Sequence, residues 1–162
     1  MKKFLTVLFA IAAFVSVCAE DDVLMETIFA DPTTHHAPTV AKGITTFKDV
    51  KTYHSKNYPL IIIPVNDYDG KSELSVTIRA ARDNSMPARL GVLCQVRDTA
   101  AKKMHTDNMQ IKSVTENFTD FKFKVNPAKI VPDTKNFRLL IYAVGKKGNI
   151  YLEKVTVAVP GK

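Results

Sequence analysis

Two cysteines in 162 residues cannot build a disulfide framework, so the fold must be held by packing. Beyond Val17 no stretch approaches the roughly 18 apolar residues that a membrane-spanning helix needs. Six glycines and eight prolines are too few for a collagen-like or low-complexity chain. No nucleophile elbow, zinc-protease helix, phosphate loop or paired-cysteine metal motif occurs, so a non-catalytic protein is expected. What remains, 46% hydrophobic and 24% charged residues, is the composition of an ordinary globular domain.

The N-terminus reads as an export signal. Lys2 and Lys3 precede an apolar run from Phe4 to Val17, and Val17-Cys18-Ala19 supplies small residues for peptidase cleavage. The expected division is a secretory signal over 1–19, an N-terminal strand and loop over 20–38, and a β-sandwich domain over 39–162. The expected location is periplasmic or extracellular. Val15-Ser16-Val17-Cys18 also has the outline of a lipobox, which makes a lipoprotein acylated at Cys18 the alternative, although Val17 stands where Gly, Ala or Ser is usual. Cleavage leaves Cys94 alone, in phase with Leu90, Val92 and Val96, as a buried inert thiol. Losing Lys2 and Lys3 reduces the net charge from +7 to +5, with the lysines dispersed along the chain.

After the signal, the periodicity is that of strands. Leu74, Val76, Ile78 and Ala80 alternate with Ser75, Thr77 and Arg79, and Phe121, Phe123 and Val125 alternate with Lys122 and Lys124. The second pattern sends its rings inward and its lysines outward, the reverse of a base-stacking platform, so no nucleic-acid partner is expected. Val40 to Lys51 is a further strand candidate, and Pro59 to Val65 is a β-branched run bracketed by prolines, which points to a strand with a free edge or one confined to a short span. Phe137 to Val144 is apolar in both phases, as a central strand covered on two sides would be. In the last strand Ile150 and Leu152 share one parity, and Val155, Val157 and Val159 the other. A bulge at Glu153-Lys154 would return both sets to one core. A helix, if there is one, is expected near Asp98 to Lys103. The pattern is an all-β, antiparallel sandwich or jelly roll of seven to eight strands.

Four segments in this order carry a family likeness: Leu74 to Arg79, Asn117 to Phe123, Arg138 to Tyr142 and Gly148 to Val157. Together they resemble the family 4/9 carbohydrate-binding modules, which are galactose-binding-like jelly rolls ending in a strand of the form Tyr-Ile-Asp-Asp-Val-x-Leu. The resemblance implies binding of a glycan or envelope polymer against exposed aromatic planes, with loop and strand amides reading the hydroxyls. It also raises a structural calcium, held in part by an acidic pair on the last strand. Glu153 occupies the first of those positions and Lys154 the second, so Glu153 is the only metal candidate, and no other cofactor is expected.

Those modules often use tryptophan for the sugar planes, and this chain has none, so tyrosine must serve. Tyr58 and Tyr68 sit in or beside loops, and Tyr142 shares a strand with Arg138. With Asp67 and Asp69 in the Asn66 to Lys71 turn, these are the candidate ligand-binding residues. His35-His36 gives too few ligands for a metal, and adjacent side chains in an extended segment point apart. The second reading is a structural or protein-interaction sandwich of the bacterial envelope, offering the edge at Leu60 to Val65 to a partner strand.

Overall fold

The computed structural model describes residues 21–35, 40–145 and 148–161. The expected signal segment, with Cys18 inside it, lies outside the described residues, as do His36 and Pro38. Eleven strands run in chain order: β1 (Asp22–Ile28), β2 (Ile44–Phe47), β3 (Val50–Tyr53), β4 (Ile61–Val65), β5 (Leu74–Arg82), β6 (Ala88–Asp98), β7 (Lys103–Thr106), β8 (Gln110–Val114), β9 (Thr119–Val125), β10 (Phe137–Val144) and β11 (Ile150–Val159). One turn of helix, α1 (Pro127–Ile130), precedes β10.

They form two antiparallel sheets. The six-stranded sheet has the order β2-β3-β11-β5-β9, with β1 also paired to β11. The five-stranded sheet has the order β4-β10-β6-β7, with β8 paired to β6. The inward phase of each strand meets between the layers: Leu74, Val76, Ile78 and Ala80 of β5, Leu90, Val92, Cys94 and Val96 of β6, and Leu139 and Ile141 of β10 are all essentially inaccessible. Phe121, Phe123 and Val125 join them from β9. Burial pushes the Cys94 thiol up to about 12, which keeps it protonated and inert.

The slip in the last strand is a bulge. The pairing of β11 with β5 shifts register between Leu152 and Lys154, and Ile150, Leu152, Val155 and Val157 all reach the core. Glu153, the extra residue, turns its carbonyl to the Phe29 N–H at 3.0 Å. The first and last strands run side by side, and the Asp21 carboxylate accepts the Gly161 N–H at 2.9 Å.

Three expectations need correction. The strand count exceeds seven or eight because Val40 to Lys51 is not one strand: a short 3-10 turn, Val40–Gly43, leads into the β2–β3 hairpin, closed by Lys48 and Asp49 at φ 49° and 62°. Both turn residues are left-handed, the geometry that matches strand twist in a two-residue hairpin. The chain also adds β7, a short polar edge strand with little periodicity to read. No helix forms at Asp98 to Lys103, which is a turn, whereas α1 lies where Asn126 caps the Lys129 N–H and Pro127 opens the helix. The third correction concerns β10, which is central but shielded only in part on its second face, with Arg138 exposed, Leu140 buried, and Tyr142 and Val144 half-buried.

Candidate functional site: the outer face of the five-stranded sheet

Strand register converts the outward side chains of this sheet into rows. Arg138 of β10 lies between Pro64 of β4 and Gln95 of β6, and Gln95 is opposite Thr106 of β7. The next row is Ile62, Leu140 and Leu93. Beyond it come Tyr142, Gly91 and Ile111, then Val144, Arg89 and Ser113. Two apolar rows therefore lie between two polar ones. No other strand or helix among the described residues is laid over them; Ile62 and Ile111 remain 39% and 45% exposed, while Leu140 in the middle is 8% exposed. An uncovered apolar stripe with a polar rim is the usual make-up of a ligand surface.

Gly91 shapes the middle of this surface. A Cβ there would come within 2.8 Å of both Met109 Sδ and Val144 Cγ2, so these side chains close over the bare backbone beside Tyr142. Tyr58 supplies the second aromatic plane: its ring lies 4.7 Å from that of Tyr142, tilted by 57°. Tyr58 is 72% exposed, an unusual position for a large ring and one that leaves a face available for packing. Burial first, and the neighbouring Tyr58 second, raise the Tyr142 phenol above its ordinary value and keep it a neutral hydrogen-bonding group.

The loop bearing Tyr58 is pinned on both sides. The Leu60 N–H donates to the Ile141 carbonyl at 2.8 Å, and the buried Tyr53 hydroxyl donates to the Leu60 carbonyl at 3.0 Å. At its start the His54 N–H donates to the Gly43 carbonyl, and His54 Nδ1 lies 3.0 Å from the Ile150 carbonyl. Tyr58 is thus carried on anchored backbone, and the Tyr58–Pro59 peptide is cis. On one side of it a groove of about 440 Å³ is bordered by Pro59, Ile62, Pro64 and Arg138. On the other, a cleft of about 370 Å³ is lined by His54, Lys56, Asn57 and Asn149.

Of the residues singled out in the sequence, the fold gathers Tyr58, Tyr142 and Arg138 on this face and separates the rest. Tyr68 is in the core, 1% exposed, with its hydroxyl donating to the Ser72 carbonyl at 2.7 Å and its ring edge-on to Phe137. It presents no plane to solvent. Asp67 and Asp69 are in the same turn, at the end of the sheet where β10 begins rather than at Tyr142. Asp67 holds a left-handed φ of 59°. The Asp69 carboxylate accepts from the Ser72 hydroxyl and from the Lys71 and Ser72 N–H groups, and these bonds hold it below the ordinary carboxylate range. Its oxygens serve the turn.

Glu153 lies on the other sheet, where its carboxylate accepts from Arg79 Nε at 2.9 Å. A guanidinium on that carboxylate and Lys154 next to it do not fit a calcium ligand set, which needs several converging oxygens. Among the described residues no three His, Cys, Asp or Glu side chains are grouped as metal ligands.

The sequence reading did not single out Arg89, Leu93, Gln95 or Gly91, which β6 brings alongside Tyr142 and Arg138. Their local signal is only the outward phase of a half-buried strand. The readable signal is in β10, whose second phase is apolar; Leu140 there is buried and Tyr142 half-buried.

No family model and no curated protein matches the sequence. Solved structures do match in shape. The CBM22-1 xylan-binding domain of Xyn10C from Paenibacillus barcinonensis superimposes with a TM-score of 0.57 at 14% identity, over 89% of this chain and 98% of that one. A xylan-binding module of family CBM15 gives 0.54 at 15% identity, over 88% and 99% of the two chains. A CBM4 module gives 0.50 at 15% identity, over 71% and 74%. The chain therefore has the two-sheet jelly-roll fold seen in carbohydrate-binding modules of families 22, 15 and 4.

Proposed function

We propose that the protein is an exported, non-catalytic module that holds a polysaccharide along the outer face of its five-stranded sheet. The observation that carries this reading is the Tyr58–Tyr142 pair standing on an uncovered apolar stripe between polar rows. Pyranose rings present apolar C–H faces and a rim of hydroxyls. Tyr58 and Tyr142 match the faces, while Arg138, Gln95, Thr106 and Ser113 match the rim. Two of the similar structures are named as xylan-binding, which makes xylan the first probe. The segment over 1–19 would deliver the chain through the Sec route, with lipidation at Cys18 as the alternative. Mass spectrometry of the N-terminus of the protein recovered from cells separates the two.

The test is affinity electrophoresis of the protein through gels containing xylan, other β-glucans, pectins and envelope polysaccharides, followed by calorimetry on any that retard it. At least one polymer should retard the protein, and Tyr58→Ala with Tyr142→Ala should weaken that binding more than tenfold. If no polymer binds, or the double variant binds equally well, the assignment of this face fails.

A second reading has one observation behind it: among the described residues β4 pairs only with β10, leaving an edge strand open to a partner. Pro64 lies within that edge and lacks an N–H to donate, which shortens the ladder an added strand could form. Recovery of one stoichiometric protein from envelope extracts, lost on charge substitution at Ile62, would favour this reading.

A further inference from the structure

The outward positions of the five-stranded sheet hold three arginines and no acidic residue. Arg138 projects from β10, and Arg89 and Arg97 from β6; the remaining outward positions of β4, β6, β7, β8 and β10 are apolar or uncharged polar. All three arginines are exposed, and none has a carboxylate within salt-bridge distance among the described residues. The nearest polar contact of the Arg138 guanidinium is Met104 Sδ at 3.9 Å, too weak an acceptor to satisfy it.

The other sheet treats its arginines differently. Arg79 is bonded to Glu153 at 2.9 Å and approaches Asp120 at 3.4 Å, and Arg82 meets Glu116 at 3.0 Å. The chain has acidic residues to spare for pairing and places them away from the ligand face. Arg97 is at the corner of the sheet, in a pocket that Asp98 and Asp133 also line, so Arg138 and Arg89 carry the argument.

Their spacing adds to it. In the β10–β6 register Arg138 is opposite Gln95, six residues along β6 from Arg89, which separates the two arginines by about 20 Å along the strands. The apolar rows with Tyr142 and Leu140 lie between them. Cationic forks therefore stand at both ends of the stripe that would receive the sugar rings. A guanidinium is planar, weakly hydrated and matched to oxyanions by two parallel N–H donors, whereas neutral hydroxyls use only part of that capacity. A face of one sign with no internal neutralisation also draws anionic polymers from solution.

We infer that this face selects acidic polysaccharides, chains whose sugar units carry carboxylate or sulfate groups, with Arg138 and Arg89 receiving the anions at the two ends of the apolar stripe. The inference rests on the placement of the glycan proposed above and specifies its charge. A single-stranded nucleic acid would also offer anions. However, among the described residues the face has only two aromatic rings, set at 57° to each other, which gives no run of parallel planes for successive bases.

The experiment compares matched pairs by calorimetry at low ionic strength: polygalacturonate with its methyl ester, glucuronoxylan with unsubstituted xylan, and dextran sulfate with dextran. Oligo(dT) serves as the nucleic-acid arm. The acidic member of at least one carbohydrate pair should bind ten times more tightly or better, and added salt should erase the difference. The carboxylated and sulfated pairs show which anion is preferred. Arg138→Gln with Arg89→Gln should bring the acidic and neutral members of each pair to equal affinity, and both positions are exposed enough for the variant to fold. Equal binding of acidic and neutral partners, or a preference unchanged by the double substitution, overturns the inference while leaving the face as a glycan site. Tighter binding to oligo(dT) than to any glycan overturns it in favour of nucleic acid. Binding to none of these polymers overturns both the inference and the glycan assignment.

Discussion

The two sheets of this sandwich share one core and differ in how they meet solvent. On the outside of the six-stranded sheet several charged groups are paired: Arg79 with Glu153 and Asp120, Lys154 with Glu26 at 2.7 Å, and Lys124 with Glu73 at 2.8 Å, while Lys122 of β9 has no carboxylate within salt-bridge distance among the described residues. Its larger rings are also partnered, Phe47 stacking on Tyr151 at 3.9 Å between centroids and 3° between planes. The five-stranded sheet leaves its arginines without carboxylates, its apolar rows uncovered and Tyr58 in solvent. Both outer faces carry charged side chains, so charge by itself does not separate them. What distinguishes the two is whether the groups on each are already satisfied.

Substitutions can break that comparison at several depths. The largest effect is expected from Phe123→Ala, which removes a fully buried ring from β9 in the core that both sheets use. Such truncations cost about 3–5 kcal/mol, so urea unfolding should shift sharply and both faces should be lost together. Next is a matched pair of surface truncations. Tyr142→Ala should weaken polysaccharide binding by about 2 kcal/mol with little change in unfolding, as loss of an aromatic anchor does. Tyr151→Ala, on the other sheet, should leave binding unchanged and lower the unfolding midpoint through loss of its stack on Phe47. Equal effects of the two on binding would dissolve the distinction between the faces.

A smaller effect concerns Asp107, which lies beside β6 and accepts the Cys94 N–H at 2.8 Å. Burial raises its carboxyl above the ordinary 3.8 despite that hydrogen bond. In the window between the ordinary value and the raised one, the unfolded chain gives up this proton more readily than the fold. The group's stabilising contribution is therefore complete below 3.8 and declines as pH rises through the folded value. Asp107→Asn retains a carbonyl oxygen for the Cys94 N–H. Its urea midpoint should match the parent in acid and exceed it at neutral pH. The smallest effect belongs to Arg79→Ala, because its ion pairs are substantially solvated. Thermal unfolding of that variant should stay within error of the parent, and polysaccharide binding should not change.

The sequence disclosed those parts of the fold whose information is local. The alternation in β5 and β9 assigned the inward residues correctly, and the parity slip at Glu153-Lys154 located a real bulge, because side-chain period 2 is a property of one strand. Where two demands fall on the same strand, the period disappears. β10 reads as apolar throughout because one phase enters the core and the other supplies Leu140 and Tyr142 to the open face. An apolar second phase in sequence implies a cover; in the fold Leu140 is 8% exposed and Tyr142 half-buried without another layer above them. Tyr68 misled for the converse reason: a ring next to a turn looks exposed, but its backbone bond to Lys135 and its hydroxyl bond to Ser72 draw it inward. Arg89 was illegible as a partner of Tyr142, since their proximity depends on the β6–β10 register across some fifty residues of chain.

The neighbouring first and last strands have a practical consequence. Asp21 and Gly161 are joined at one corner of the six-stranded sheet, with the sandwich's own thickness of about 10 Å between that sheet and the one bearing Tyr142. A tether fastened at either position leaves from the rim of the six-stranded sheet, so an immobilised or fused copy would keep the arginines and tyrosines of the other sheet free of the attachment.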